Sequence, residues 1–193
     1  MTYPPEIHHR RSVRLPGYDY ARNGIYFITI CTQNRECLFG EIVDGAMRLH
    51  EAGRFVSEEW EKTAEIRGEI DLDEWLVMPN HFHGILVVSD GRGTARRAPT
   101  VERFGQPVSG SVPTVVRAFK SAVTKRINEL RGTPGAKLWQ RNYYEHIIRN
   151  NDDLNRIRQY IMDNPARWDL DRNNPDAVKL AATIKKNFEE LGV

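Results

Sequence analysis

The hydrophobic positions along the chain follow two different spacings. Residues 26–35 (YFITICTQNR) are rich in β-branched and aromatic side chains, a composition that predicts a β-strand. Apolar residues three to four positions apart predict amphipathic helices instead. On these criteria we expect three further strands at 70–80, 81–89 and 138–149, and three helices at 51–66, 112–130 and 152–163.

Turn-forming and helix-capping residues separate these segments. Asp44-Gly45 predicts a hairpin between two short strands. Gly132 predicts the end of the long helix. An asparagine or aspartate within 150–152 is expected to cap the next helix, which should end before Pro165.

The main elements run in the order strand, helix, strand, strand, helix, strand, with helices added at the end, including one at 176–191. This order predicts an α+β fold of the ferredoxin-like type, an antiparallel sheet with helices packed on one face. The other face is then available to a ligand or to further helices. We expect a basic N-terminal arm (1–22), this domain (23–168) with a flexible loop at 90–111, and a C-terminal helical extension (169–193).

Length and composition narrow the class of protein. The 193 residues suffice for one domain with a full core, and 40% hydrophobic with 28% charged residues is typical of a globular protein. No apolar run approaches the roughly 20 residues that cross a bilayer. Cys31 and Cys37 are the only cysteines, so a disulfide framework is not expected. These features favour a cytoplasmic protein without a membrane partner.

The charges are segregated along the chain, although the net charge is only +2. Residues 41–74 contain eleven acidic and four basic side chains, whereas residues 111–141 contain seven basic and one acidic. Such segregation indicates a face that meets a polyanion. The alternative is that charges sort by chance onto solvated faces.

His81-Phe82-His83 is the motif with the sharpest chemistry. Alternate side chains of a strand project from the same face, so the two imidazoles should lie side by side, with Phe82 in the opposite layer. Neutral imidazole is a common metal ligand, and a divalent cation would satisfy both rings. The alternative is two exposed histidines at a strand start beside a turn.

The helix predicted at 152–163 offers a third ligand. Tyr160 and Asn164 are four residues apart and share one helical face. If this helix crosses the histidine pair, the carboxamide oxygen of Asn164 could complete a metal site, with Tyr160 one turn earlier. The alternative, which the spacing alone favours, is a core tyrosine and a helix-terminating Asn-Pro pair.

Three blocks in this order, VMPNHFHGIL, LWQRNYYEHIIRN and LNRIRQYIMDNP, resemble the REP-associated tyrosine transposases, single-tyrosine members of the HUH (His, hydrophobic, His) nucleases. The resemblance covers roughly residues 10–168. It implies that His81, His83 and Asn164 bind Mg²⁺ or Mn²⁺ and that Tyr160 is the nucleophile. The implied function is a metal-dependent endonuclease and strand transferase.

The same resemblance implies the substrate and the setting. The DNA would be single-stranded and hairpin-forming repeat sequence, cut through a 5′-phosphotyrosine intermediate. The protein would be nucleoid-associated in the cytoplasm and act as a monomer or homodimer.

Basic and aromatic residues are the expected DNA contacts, because cations neutralise phosphates and rings stack on unpaired bases. The predicted DNA-binding residues are Arg10, Arg11, Arg14, Arg117, Lys120, Lys125, Arg126, Arg131, Trp139, Tyr143 and Tyr144. Each of these aromatic residues could instead belong to the core. Tyr143 and Tyr144 are also rival nucleophiles, but neither precedes an amide by four residues.

Two other functions are compatible with the sequence. One is a nucleic-acid-binding module that keeps this fold without cutting DNA. The other is a metal-dependent phosphohydrolase that uses water as its nucleophile, although the sequence shows no carboxylate-rich metal cage to support it. The set of His81, His83, Tyr160 and Asn164 favours the strand transferase over both.

Overall fold

The computed structural model describes residues 18–89, 108–180 and 183. Most of the predicted arm and loop, and the end of the predicted C-terminal helix, lie outside these residues. The strands are β1 (Gly24–Cys31), β2 (Gly40–Val43), β3 (Ala46–Leu49), β4 (Ile70–Met78), β5 (His81–Val88) and β6 (Tyr144–Ile148). The helices are α1 (Glu51–Glu65), α2 (Val112–Arg131) and α3 (Asn151–Asp163).

The main sheet has four antiparallel strands in the order β4-β5-β1-β6. With the hairpin β2–β3 set aside, this is the ferredoxin-like arrangement predicted from the order of elements. The hairpin turns at Asp44 and Gly45, whose φ angles are 53° and 73°. These left-handed conformations are the ones a two-residue hairpin loop requires, so this prediction is also confirmed.

Helices α1 and α2 cover one face of the sheet and form the larger core with it. The ring of Trp60 lies 4.6 Å from that of Phe82 and 5.2 Å from that of Phe119, measured between centroids. Gly84, the residue after the histidine motif, has no room for a side chain, because a Cβ there would lie 2.7 Å from the Trp60 side chain. The missing side chain at position 84 therefore leaves room on β5 for the large indole of Trp60 on α1.

Helix α3 packs on the opposite face through a smaller apolar cluster. Leu154, Ile157 and Ile161 contact side chains from β1, β5 and β6. The helix begins as predicted, since the side chain of Asn150 accepts a hydrogen bond from the backbone N–H of Asp153. The face left over by α1 and α2 is thus partly occupied by the helix that carries Tyr160.

Two predicted strands are shorter than expected. The chain leaves β1 after Cys31 because the hydroxyl of Thr32 donates to the carbonyl oxygens of Glu36 and Asn80, and a 3₁₀ turn (Gln33–Arg35) follows. Within the predicted strand 138–149, only β6 is extended and paired. Before it, Trp139 makes one isolated bridge to Thr32.

Two shorter segments complete the description. Tyr20, in the predicted arm, is 4% exposed and belongs to the larger core. After α3 a second 3₁₀ turn (Pro165–Leu170) leads to a helical segment at 175–180, within the predicted C-terminal helical extension. Among the described helices, none combines the length and apolar character needed to cross a bilayer.

Candidate active site

The two histidines open strand β5 on the face of the sheet that carries α3. His81 and His83 are 0% and 1% exposed, and their Nε2 atoms lie 3.0 Å apart. Phe82, between them, points into the opposite layer, as the strand period predicts. Two nitrogen lone pairs facing each other at this distance repel unless a proton or a cation lies between them.

Each imidazole is oriented through its other ring nitrogen. Nδ1 of His81 is 2.9 Å from Oδ1 of Asn80, and Nδ1 of His83 is 2.9 Å from the hydroxyl of Thr29. The Asn80 amide is itself fixed, because its Nδ2 donates to two backbone carbonyl oxygens. His81 therefore donates from Nδ1, which leaves its Nε2 lone pair for a proton or a cation.

Burial determines the charge of this pair. It lowers the pKa of His81 to about 4. It also lowers the pKa of His83 well below its usual range, and repulsion from His81 adds to the effect. Both rings are therefore neutral near pH 7, which is the state in which imidazole binds metal ions.

Helix α3 brings Tyr160 to the same place. Its ring centroid lies 5.3 Å from that of His83 and 6.1 Å from that of Phe27, edge-on to both. The residue is 45% exposed, so a substrate can reach the hydroxyl. Burial and the negative charge of Asp171 raise the pKa of Tyr160, so the phenol is protonated at neutral pH.

An ion pair and a side-chain hydrogen bond fix α3 at two strands of its own sheet. The guanidinium of Arg158 donates to both carboxylate oxygens of Asp73 on β4, at 2.7 and 2.5 Å. Toward the other end of the helix, Oδ2 of Asp153 is 2.7 Å from Nε2 of His146 on β6. Tyr160 therefore meets the histidines of the same chain.

Asn164 ends α3 one turn after Tyr160 and is 4% exposed. Its Oδ1 is buried and makes no hydrogen bond. A buried amide oxygen without a partner is costly, and a cation beside it would remove that cost. Two neutral imidazoles with this oxygen are ligands that Mn²⁺ accepts, so the residues present fit a divalent metal.

A cavity of about 590 Å³ connects His83, Asn164 and Tyr160 to the solvent, whereas His81 lies behind them. Tyr144 stands at its side, 50% exposed, with its ring centroid 6.2 Å from that of Phe27. The cavity is also lined by His83, Tyr160, Asn164, Asp171 and two exposed cations, Arg167 and Arg172. It thus places a phenolic hydroxyl, an imidazole and an amide oxygen beside an aromatic ring and positive charge.

Several residues of this site were not predicted. Thr29 and Asn80 orient the imidazoles, and the adjacency of Asn80 to the histidine motif was a signal that could have been used. Asp171, Arg167 and Arg172 reach the cavity from the segment after α3. That segment follows the recognised blocks and has no pattern of its own, so the sequence offered no signal for it.

The predicted aromatic DNA contacts divide into three cases. Trp139 is 7% exposed, and its indole N–H donates to the carbonyl oxygen of Lys120, so this ring lies in the core, the alternative that the sequence left open. Tyr143 packs against the larger core, away from the histidines. Tyr144 alone lines the cavity with Tyr160.

The predicted basic residues of α2 lie across the sheet from Tyr160. Arg126 pairs with Glu58 and Glu59 of α1 at 2.6 and 2.9 Å, so in this structure it links two helices. Lys120 donates to the carbonyl oxygen of Gln140, and burial lowers its pKa to about 8. The exposed cations of this helix are Arg117, Lys125 and Arg131. Arg10, Arg11 and Arg14 lie outside the described residues.

Known proteins resemble this chain in sequence and in fold. No protein-family model matches it. An uncharacterised protein of Haemophilus influenzae is 39% identical over 174 residues, which span 88% of this chain and 96% of that protein. A solved structure of a REP-associated tyrosine transposase bound to a REP hairpin matches with a TM-score of 0.50 and 19% identity, over 81% of this chain and 74% of that one. At this identity the structural likeness establishes the fold.

Proposed function

We infer that this chain, which belongs to one family with the Haemophilus influenzae protein and has the fold of a REP-associated tyrosine transposase, cleaves and rejoins single-stranded DNA. Tyr160 is the proposed nucleophile. The observation that carries the proposal is that Tyr160, His83 and Asn164 line one solvent-connected cavity, with Nε2 of His81 directly behind, 3.0 Å from that of His83.

His81, His83 and Asn164 would hold the divalent metal. A cation bound there would polarise a phosphodiester and offset the negative charge that develops on its oxygens. Imidazole nitrogen suits Mn²⁺ better than Mg²⁺, which prefers oxygen ligands. We therefore propose Mn²⁺ as the more effective activator of the two.

The reaction at Tyr160 follows from its position. The phenol loses its proton as its oxygen attacks the phosphorus, and the bond from phosphorus to the 3′ oxygen of the preceding nucleotide breaks. That oxygen takes up a proton and leaves as a 3′-OH. The DNA end that carries the phosphate remains attached to Tyr160 as a 5′-phosphotyrosine.

The covalent link allows the strand to be rejoined without an external energy source. A 3′-OH from another strand attacks the same phosphorus, and the phenolic oxygen of Tyr160 leaves with a proton. One phosphodiester is broken and one is formed, so the bond energy is conserved.

We propose that the cavity takes up a single strand. The half-exposed ring of Tyr144 lies where an unpaired base beside the reacting phosphate could stack. Arg167 and Arg172 supply cations to neighbouring phosphates. We propose hairpin-forming DNA as the substrate because the structural relative was solved with a REP hairpin.

The test is capture of the covalent intermediate. Labelled single-stranded oligonucleotides carrying the inverted repeats that flank the gene are incubated with the protein and Mn²⁺, then separated on a denaturing gel. Wild-type protein should retain the label, and Tyr160→Phe should reduce the adduct at least about a thousandfold. Tyr144→Phe is the matched control and should still form it. An adduct that persists in Tyr160→Phe contradicts the proposal.

A further inference from the structure

The proposed metal ligands lack negative charge. His81 and His83 are neutral imidazoles and Asn164 offers an amide oxygen, whereas Mg²⁺ and Mn²⁺ favour carboxylates. A divalent cation in this buried setting needs a counter-charge nearby. Among the described residues, no group of three or more histidine, cysteine, aspartate or glutamate side chains is arranged to hold a metal ion without some movement. A carboxylate would therefore have to approach a bound cation from just outside the histidine pair.

Asp171 is placed to provide that charge. Its side chain is 9% exposed, and its Oδ2 lies 3.8 Å from Nε2 of His81, the same nitrogen that faces His83. Its other oxygen, Oδ1, accepts a hydrogen bond of 2.6 Å from the backbone N–H of Asn173. This bond fixes the carboxylate, so Oδ2 is the oxygen that faces the imidazole.

The segment that carries Asp171 is held against the site by two hydrogen bonds and is closed on itself by a third. Asn80, which orients His81, also donates to the carbonyl oxygen of Asn173 at 2.7 Å. Arg35 donates to the carbonyl oxygen of Arg172 at 2.9 Å. Asn174 donates back to the carbonyl oxygen of Trp168 at 3.0 Å. One asparagine thus positions both a histidine ligand and the backbone that presents the aspartate.

The geometry points to Asp171 as a further ligand of the cation held by His81 and His83, an inference that rests on the proposed function. Two ligand atoms about 2.1 Å from one cation are about 3.0 Å apart when adjacent and about 4.2 Å apart when opposite. The 3.0 Å between the imidazoles matches adjacent ligands, and the 3.8 Å from His81 to Asp171 falls within the same range. The carboxylate also brings the negative charge that the two imidazoles and the amide oxygen lack.

The test measures metal binding in the absence of DNA. Asp171→Asn removes the charge but keeps an Oδ1 that can accept from Asn173. Mn²⁺ is titrated into each protein, and the unbound ion is followed by its electron paramagnetic resonance signal. Asp171→Asn should bind Mn²⁺ about 10- to 100-fold more weakly than wild type. Asp169→Asn, the same change at an exposed position two residues earlier, should bind like wild type.

Further measurements separate the possible outcomes. Equal Mn²⁺ affinity in Asp171→Asn and wild type overturns the inference. The inference is also overturned if metal-free Asp171→Asn has a lower thermal midpoint but an unchanged affinity for Mn²⁺. That result would show that the carboxylate has a purely structural role. If His83→Ala loses Mn²⁺ binding while Asp171→Asn binds like wild type, the proposed function stands and only the role of Asp171 is excluded. Wild type that binds no Mn²⁺ removes the metal site itself.

Discussion

The two faces of the main sheet differ in what fills them. The face under α1 and α2 holds the larger apolar core, with Trp60, Phe82 and Phe119 in direct ring contact. The face under α3 holds a smaller apolar cluster, and beside it lie two buried imidazoles and a buried amide oxygen without a hydrogen bond. Both faces belong to the same strands, and alternate residues of a strand point to opposite faces, so the difference arises from which residues occupy alternate positions.

Residues that stabilise the larger core therefore alternate, along one strand, with residues of the candidate site. On β5, Phe82 points into the larger core while His81 and His83 point toward Tyr160. A protein can afford polar groups with unmet hydrogen bonds on one face when the other provides most of the apolar burial. The predicted effects of mutations therefore depend on which face a side chain joins.

The largest expected loss of stability comes from the face under α1 and α2. Phe82→Ala should lower the free energy of unfolding by about 3–5 kcal/mol, because it opens a cavity against Trp60 and Phe119 in a fully buried cluster. Urea unfolding followed by circular dichroism measures it.

The adjacent His83 is the matched comparison. His83→Ala should cost about 1 kcal/mol in metal-free protein, because that side chain borders the solvent-connected cavity. It should abolish the rise in thermal midpoint that saturating Mn²⁺ gives wild type, whereas Phe82→Ala should keep that rise at a lower midpoint. Equal losses of stability from the two substitutions would contradict the division between the faces.

Lowering the pH should reduce the stability of the protein through the face under α3. The pKa of His81 is lowered to about 4 by burial, against about 6.5 in an unfolded chain. Between these values the unfolded chain binds a proton that the folded chain does not, so stability falls as pH drops from 6.5 toward 4. The loss from this residue should reach about 3 kcal/mol in metal-free protein, measured by urea unfolding with a chelator present.

Histidine variants identify the source of this loss. His81→Gln should remove its share of the loss, leaving the shallower dependence that His83 and the carboxylates cause. His50→Gln, at an exposed histidine, should keep the wild-type profile. Indistinguishable pH profiles for wild type and His81→Gln would show that the imidazole is not held neutral by burial.

Much of this architecture could be predicted from the sequence, because local patterns determine it. The period of β5 indicates which side of the strand Phe82 takes, Gly132 marks the end of α2 with a φ of 61°, and Asn150 caps α3. The spacing of Tyr160 and Asn164 places both on one helical face, although spacing alone favoured a core tyrosine. Which neighbours that face would meet depended on the fold.

The parts that could not be predicted depend on contacts between distant segments. Arg126 was predicted to bind DNA, and only the packing of α1 against α2 brings Glu58 and Glu59 to it. Trp139 was predicted to stack on bases, and its burial follows from the path of the chain between α2 and β6. Asp171 reaches His81 across 90 positions in sequence, a distance that no local pattern spans.

The smallest expected effect on stability compares one ion pair from each face. Asp73 on β4 binds Arg158 of α3, and Glu58 of α1 binds Arg126 of α2. Both pairs are partly exposed, so Asp73→Asn and Glu58→Gln should each cost about 0.5–1 kcal/mol. Arg158 lies two residues before Tyr160, however, so loosening it should displace the proposed nucleophile. Asp73→Asn should therefore slow covalent adduct formation roughly tenfold, and Glu58→Gln should leave that rate unchanged.

Single-turnover adduct formation on labelled hairpin DNA, with stability measured in parallel, distinguishes these two variants. Equal rates in Asp73→Asn and wild type would show that the apolar contacts of Leu154, Ile157 and Ile161 position the helix without help from the ion pair. A slow Glu58→Gln would show that displacement on the far side of the sheet reaches the cavity. In either case the independence of the two faces, and not the identity of the nucleophile, would have to be revised.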